Sequence, residues 1–220
     1  MLQPSAYESQ SLIDLISGRQ RLFLQAEEYA KGAYLYQSGE PADYVYVVLK
    51  GRVKLRRQGN GLGRSIIFRI ACANEIFGVL DFFNRSEKRR SEAVVMDKAT
   101  RLLPIRISSF MTILEENWRL QLALSKTFVR LQNDLQFTYY NLQTRDTYKK
   151  VLRALKRLAK QYGVSTENGT LVTAFTHQEL SEVIGVSRQS VTSAMNKLQR
   201  DGLIQYRRQW ILIKIPKEDL

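Results

Sequence analysis

Near Ile107 the hydrophobic period of this 220-residue chain changes from two to seven, so a single type of structural layer cannot account for it. Before that point, seven of the 12 glycines lie between Gly32 and Gly78, separating short runs of aromatic and branched residues. Tyr44-Val45-Tyr46-Val47-Val48-Leu49 ends at Lys50-Gly51, and Val53 and Leu55 then alternate with Lys54 and Arg56. Alternation with glycine punctuation predicts short antiparallel strands. Gly59-Asn60-Gly61-Leu62-Gly63 reads as a hairpin loop, because glycine takes positive φ without strain. It precedes no helix-like segment and carries no Lys-Ser/Thr, so it is no P-loop. Ile66 to Ile70 resumes strand, and Ala93 to Ile107 supplies two more. The expectation is a β-sandwich or jelly roll of about 100 residues.

After Ile107, Leu124, Leu131 and Thr138 recur every seven residues, and Phe128, Leu135 and Leu142 form the adjacent stripe. Alternating steps of four and three describe a coiled-coil seam, here of a homodimer. A helix packed on its own β-domain would need an apolar stripe too. The narrowness of the stripe, flanked by Arg130, Gln132, Asp134 and Gln136, favours the dimer. Asp146 is placed to cap the next helix.

Tyr148 to Tyr162 is an amphipathic helix with Val151, Leu152, Leu155, Leu158 and Ala159 inward, ended by Gly163 at the C′ position. Leu171 to Phe175 is strand-like. Thr176 then caps a short helix, His177 to Ile184, with Glu179 three residues after the cap. Gly185-Val186 makes a turn, Ser187 caps a second helix to about Arg200, and Asp201-Gly202 stops it. Leu203 to Ile215 reads as a two-stranded wing around Arg207-Arg208-Gln209. Helix, glycine turn and capped helix form a helix-turn-helix, whose second helix enters the major groove N-terminus first. Its buried side would be Val191, Ala194, Met195 and Leu198. Its exposed side would be Arg188, Gln189, Thr192, Ser193, Asn196 and Lys197. Base contacts are expected from Arg188, Gln189 and Ser193, and phosphate contacts from Thr176, Ser187, Lys197, Arg207 and Arg208.

Charge supports a polyanion partner. The chain carries 34 basic against 21 acidic residues, a net +13. From Thr147 to Leu220 there are 13 basic and 6 acidic residues, a net +7 concentrated in one third of the length. No run of about 18 apolar residues is present, so no membrane-spanning helix is expected. Residues 1–9 show no basic lead followed by an apolar stretch, which predicts a cytoplasmic protein. One cysteine, Cys72, and one histidine, His177, leave no intrachain disulfide, metal knuckle or hydrolase triad. No catalytic residues and no metal are expected.

The order of parts resembles the Crp/Fnr family of bacterial transcription regulators. The segment from Thr176 to Val191 is similar to the family's DNA-reading signature nearly residue by residue, and Val47 to Leu55 to its second β-hairpin. The resemblance implies an α+β fold divided into a helical lead-in (1–21), a cyclic-nucleotide-binding-like jelly roll (22–116), a dimerisation helix (117–146) and a winged helix-turn-helix (147–220). It also implies a near-palindromic double-stranded DNA site, a homodimer, and contact with RNA polymerase if the protein is an activator. Relatives reading TGTGA-type half-sites carry Glu where Gln189 stands and Arg where Ser193 stands, so an altered half-site is expected. Iron–sulfur oxygen sensing, which needs several cysteines, is excluded.

The cAMP branch follows its cassette glycine with a ribose-binding glutamate, and here Val79 follows Gly78. Arg90-Ser91 could still match that branch's phosphate-binding pair. Phe77-Gly78-Val79-Leu80 is instead similar to the cassette of the cyanobacterial and plastid nitrogen-control regulators, which bind 2-oxoglutarate. Arg89 or Arg90, with Arg130 on the dimer helix, would then hold its carboxylates. The order of expectation is 2-oxoglutarate, then a regulator without effector in which Phe77 and Leu80 are simply core, then cAMP. A ligand-binding module that never touches DNA is the competing class.

Overall fold

The structure, a computed structural model, describes residues 16, 25–59, 65–173, 175–208 and 210–215, with Leu142 described by its backbone alone. The expected lead-in (1–21, apart from Ile16), most of the Gly59–Gly63 loop, the side chain of Leu142, Ala174 and Gln209 lie outside the described residues. The chain forms two compact units that divide within the long helix, between Asn133 and Asp134, except that the described residues of 59–67 group with the second unit.

The first unit is built on two four-stranded antiparallel sheets. One has the order β1 (Glu27–Tyr29), β8 (Thr100–Arg106), β3 (Tyr44–Lys50) and β6 (Ile76–Phe77). The other runs β2 (Tyr34–Tyr36), β7 (Glu92–Val95), β4 (Arg52–Gln58) and β5 (Ser65–Cys72). β3 sits inside its sheet, with Val45 opposite Ile105 and Val47 opposite Leu103. Its residues Val45 to Val48 are all buried, so strict alternation of burial fails there. The reason is that both faces are covered. Tyr46 and Val48 enter a core with Val53, Leu55, Phe77 and Leu102, while Val45 and Val47 face Phe110, Leu120 and Leu124 of the helices. β4 keeps the expected alternation, with Val53 and Leu55 buried. Gly51, at φ +86°, turns the chain between β3 and β4 where a Cβ would meet Thr100 Oγ1 at 2.4 Å.

A short helix α1 (Leu80–Phe83) follows β6, and after β8 come α2 (Ile107–Glu116) and α3 (Trp118–Gln143). The period change expected at Ile107 coincides with the start of α2. Strands β1, β2 and β6 and helix α1 carry too few residues to show a period, and sequence reading did not find them.

The second unit contains α4 (Thr147–Tyr162), β9 (Val164–Thr166), β10 (Gly169–Thr173), α5 (His177–Ile184), α6 (Arg188–Arg200), β11 (Ile204–Arg207) and β12 (Trp210–Ile213). Asp146 caps α4 by accepting from the Tyr148 and Lys149 amides. The expected inward face of α4 is shifted slightly, with Ala154 buried and Leu152 only half-buried. Gly163 ends α4 in extended backbone, at φ −81°, rather than in the left-handed conformation of a C′ glycine. Glycine is required there for space, since a Cβ would come within 2.4 Å of the Ala159 carbonyl oxygen. The wing is wider than expected, because β10 and β9 extend the β11–β12 pair to a four-stranded sheet ordered β11, β12, β10, β9.

Candidate nucleic-acid interface and effector cassette

The helix pair is fixed by local bonds. Thr176 Oγ1 accepts from the Glu179 amide at 3.1 Å, and the Glu179 carboxylate accepts from the Thr176 amide at 3.0 Å, a reciprocal capping box. Gly185 closes α5 at φ +76°, a left-handed conformation that side chains disfavour. Ser187 Oγ then accepts from the Ser190 amide at 3.0 Å to start α6. Val191, Ala194, Met195 and Leu198 are buried, which pins the rotation of α6 about its axis. Arg188, Gln189, Ser193, Asn196 and Lys197 are consequently exposed, while Thr192 is half-buried.

Among the expected base-reading residues, Arg188, Gln189 and Ser193 stand on that open face and their side chains make no hydrogen bond within the described protein. The expected phosphate contacts divide. Arg207 and Arg208 are exposed on the wing, and Lys197 lies over the Tyr148 ring at 4.9 Å. Thr176 and Ser187 spend their hydroxyl oxygens on caps, so their contribution to an anion would have to come alongside that duty.

Two residues that sequence reading passed over belong here. Thr147 and Tyr148, at the start of α4, line a notch of about 440 Å³ with Gln189, Ser193, Lys197 and Arg200. Tyr148 Oη donates to Asp201 at 2.6 Å, and that bond pushes the phenol up to about 12, so it stays protonated. The cap at Asp146 marks this helix start in the sequence, but only the fold brings it beside α6. His177 bonds Thr192 at 2.9 Å through Nδ1. Burial, and then the Arg188 charge, hold its imidazole below the ordinary value.

The expected effector residues of the first unit stand in different surroundings. Phe77 and Val79 are core residues, with exposures of 0% and 1%. Gly78 takes φ +84° and Leu80 opens α1 half-buried. Arg89 does not reach outward. It is 2% exposed, donates to the Gly78 carbonyl at 2.6 Å and to the Tyr44 carbonyl, and stacks on Tyr36 at 4.2 Å. Asp81 lies 3.5 Å from Arg89 and 3.6 Å from Arg90, so one buried carboxylate serves both guanidinium groups. Arg89 Nε is buried and has no hydrogen-bond partner among the described residues. Arg130 pairs with Glu75 at 3.0 Å and is otherwise exposed.

The expected seam is also redistributed. Leu124 is 4% exposed and belongs to the core of its own β-domain, and Phe128 packs against the same cluster. The two sheets leave Val45 and Val47 to be covered from outside, and α3 covers them. Leu131 is half-buried, and Leu135 and Thr138 are exposed. Elsewhere on the helix, Trp118, Leu122, Val129 and Tyr139 are exposed apolar residues that the expected stripe left out.

A β-sandwich carrying a cassette helix, followed by a winged helix-turn-helix, is the build of a ligand-responsive DNA-binding protein. Residues 26–117 match the cyclic nucleotide-binding domain family, and residues 149–218 match the Crp-like helix-turn-helix domain. The chain is 26% identical over 200 residues to the global nitrogen regulator of Synechococcus elongatus, covering 90% of each chain. It is 25% identical over 200 residues to a CRP-like cAMP-activated global transcriptional regulator of Mycobacterium tuberculosis, covering 86% of this chain and 84% of the relative. Among solved structures, the c-di-GMP responsive global regulator CLP of Xanthomonas campestris superposes with a TM-score of 0.75 at 20% identity, covering 88% of this chain and 95% of that one. The chain belongs to the Crp/Fnr family of transcription regulators. The names of these relatives point to different signals at 20–26% identity, so likeness alone selects no effector. No helix among the described residues is long and apolar enough to cross a membrane.

Proposed function

We propose that the protein is a cytoplasmic, dimeric, sequence-specific DNA-binding regulator without catalytic activity, and an activator that engages RNA polymerase. The reading is carried by Arg188, Gln189 and Ser193, three polar side chains held open on a helix whose opposite face is buried. Arg188 is suited to the O6/N7 edge of guanine and Gln189 to the N6/N7 edge of adenine. The dimer would use α3, where Trp118, Leu122, Val129 and Tyr139 are exposed at spacings of four, seven and ten, all compatible with one seam. Two copies would read half-sites about one helical turn apart. A gel shift on genomic fragments over a salt series tests this. Replacing Arg188 by Ala should cost about 1–3 kcal/mol at a single base position. Absence of any sequence-dependent shift, with or without metabolites, would exclude the regulator.

For the effector we favour a small anionic metabolite, with 2-oxoglutarate first. Support comes from the exposed Arg90 and Arg130, from the orphaned Nε of Arg89, and from Val79, a buried apolar residue where a ribose would need a carboxylate. Those two arginines already face Asp81 and Glu75, so an anion would have to displace carboxylates. That observation favours an effector-independent regulator as the second reading, with cAMP third. Calorimetry of the purified protein with 2-oxoglutarate and with cAMP separates the three. Binding of 2-oxoglutarate that survives replacement of both Arg90 and Arg130 would remove the first.

A further inference from the structure

Tyr206 on the wing strand β11 donates its hydroxyl hydrogen to Oδ1 of Asn196 on α6 at 2.6 Å. Asn196 is exposed and lies eight residues, just over two turns, beyond Arg188 on the same face of the helix. A free asparagine is ambivalent, with one carbonyl acceptor and two amide hydrogens, and its two-point match in the major groove is adenine. Here the carbonyl end is turned to the wing, and among the described residues the amide nitrogen has no partner. We propose that Tyr206 is a positioning residue that makes Asn196 a donor-only contact to an acceptor atom of the DNA. That acceptor is guanine O6 or N7, thymine O4, or a phosphate oxygen; adenine N7 accepts as well, but beside it the N6 amino group would be left unpaired. The proposal rests on the DNA-binding reading above.

A second set of contacts holds the same corner. The His177 ring lies against the Tyr206 ring with centroids 5.2 Å apart. Thr192 Oγ1 gives its single hydrogen to the Arg188 carbonyl at 3.0 Å, so at its 2.9 Å contact with His177 Nδ1 it accepts, and that nitrogen carries the hydrogen. Tyr206 is therefore braced by His177 at its ring and by Asn196 at its hydroxyl. Thr192, with its donor spent and its acceptor engaged, offers the DNA chiefly a methyl group. An amide held in one orientation before binding loses less freedom on binding. It also discriminates, because presenting a second donor in place of an acceptor leaves the adenine amino group unpaired.

In-vitro selection from a random double-stranded DNA library tests this, using the full chain as wild type, Tyr206→Phe and Asn196→Asp. If the wild type enriches no common sequence, the DNA-binding reading fails and this proposal with it. If a site is enriched, the wild type should favour guanine or thymine over adenine and cytosine at one position of each half-site by about 5–20-fold. Tyr206→Phe loses only the hydroxyl and should lower that ratio below about 3-fold by admitting adenine, while the base read by Arg188 stays selected. Asn196→Asp should abolish the preference. If the acceptor is a phosphate oxygen, both variants instead weaken all enriched sequences alike, by about 3-fold or more. Two outcomes overturn the proposal. One is a wild-type preference for adenine at that position. The other is a Tyr206→Phe profile and affinity that match the wild type.

Discussion

The ring of Phe83, the last residue of α1, meets the ring of Phe128 on α3 edge to face, with centroids 5.9 Å apart and planes at 86°. The cassette helix that follows Gly78 is thereby in direct contact with the helix that continues into the second unit. A displacement of α1 has a physical route to α3 that does not pass through the sheets. Such T-shaped pairs contribute about 0.5–1.5 kcal/mol beyond the area they bury. In a double-mutant cycle of Phe83→Ala and Phe128→Ala, read by chemical denaturation, a coupling energy of about that size is expected. Additive losses would mean that the two rings do not support one another.

Caps and charges on the DNA-facing side should separate cleanly. Thr176→Ala removes half of a capping box and should lower stability by about 1 kcal/mol in a denaturant titration. Because its oxygen already serves the Glu179 amide, the salt dependence of DNA binding should change little. Arg207→Ala should do the reverse, leaving the denaturation midpoint in place and flattening the log–log salt slope by about 0.9 for each copy bound, about 1.8 for a dimer. A slope change in Thr176→Ala as large as that in Arg207→Ala would restore Thr176 as a direct phosphate contact.

Gly163→Ala should be destabilising although its φ of −81° suits any residue. The added Cβ would stand 2.3 Å from Thr170 Cγ2 and 2.4 Å from the Ala159 carbonyl oxygen, and the latter belongs to the backbone of α4. A loss of about 1–3 kcal/mol, typical of forcing atoms into a filled space, is expected in thermal or denaturant melts. A neutral result would show that the junction of α4 and β9 relaxes freely.

Stability should depend on His177 as the solution is acidified. Burial, followed by the Arg188 charge, lowers its pKa below 6.5 in the folded chain. In the unfolded chain the imidazole takes up a proton near pH 6.5, before the folded chain does. Its share of stability is therefore whole above about pH 6.5 and is lost as the pH falls from there through the folded value. His177→Gln cannot titrate, so the gap between its denaturation midpoint and that of the wild type should narrow from pH 7.5 to pH 5. A gap that widens on acidification would mean that the folded state binds the proton more tightly.

Features set by neighbouring residues are legible in the sequence by itself. The alternation of Val53 and Leu55, the caps at Asp146, Thr176 and Ser187, the left-handed glycine at 185 and the buried stripe of α6 all depend on residues within a few positions of each other. Spacing alone specifies such features, and with them the two-part architecture and the open face of Arg188, Gln189 and Ser193. Tertiary structure decided which partner each face or charge would meet. A heptad stripe on α3 does not say what covers it, and the uncovered side of β3 claimed Leu124 for the chain's own core. A cassette arginine does not say which groups it will meet, and Arg89 ties Gly78 to Tyr44, 34 residues apart in the chain. The orientation of Asn196 is likewise set by Tyr206 from a different element. Periodicity and capping are properties of residues close in the chain, whereas these pairings exist only once distant strands and helices have packed.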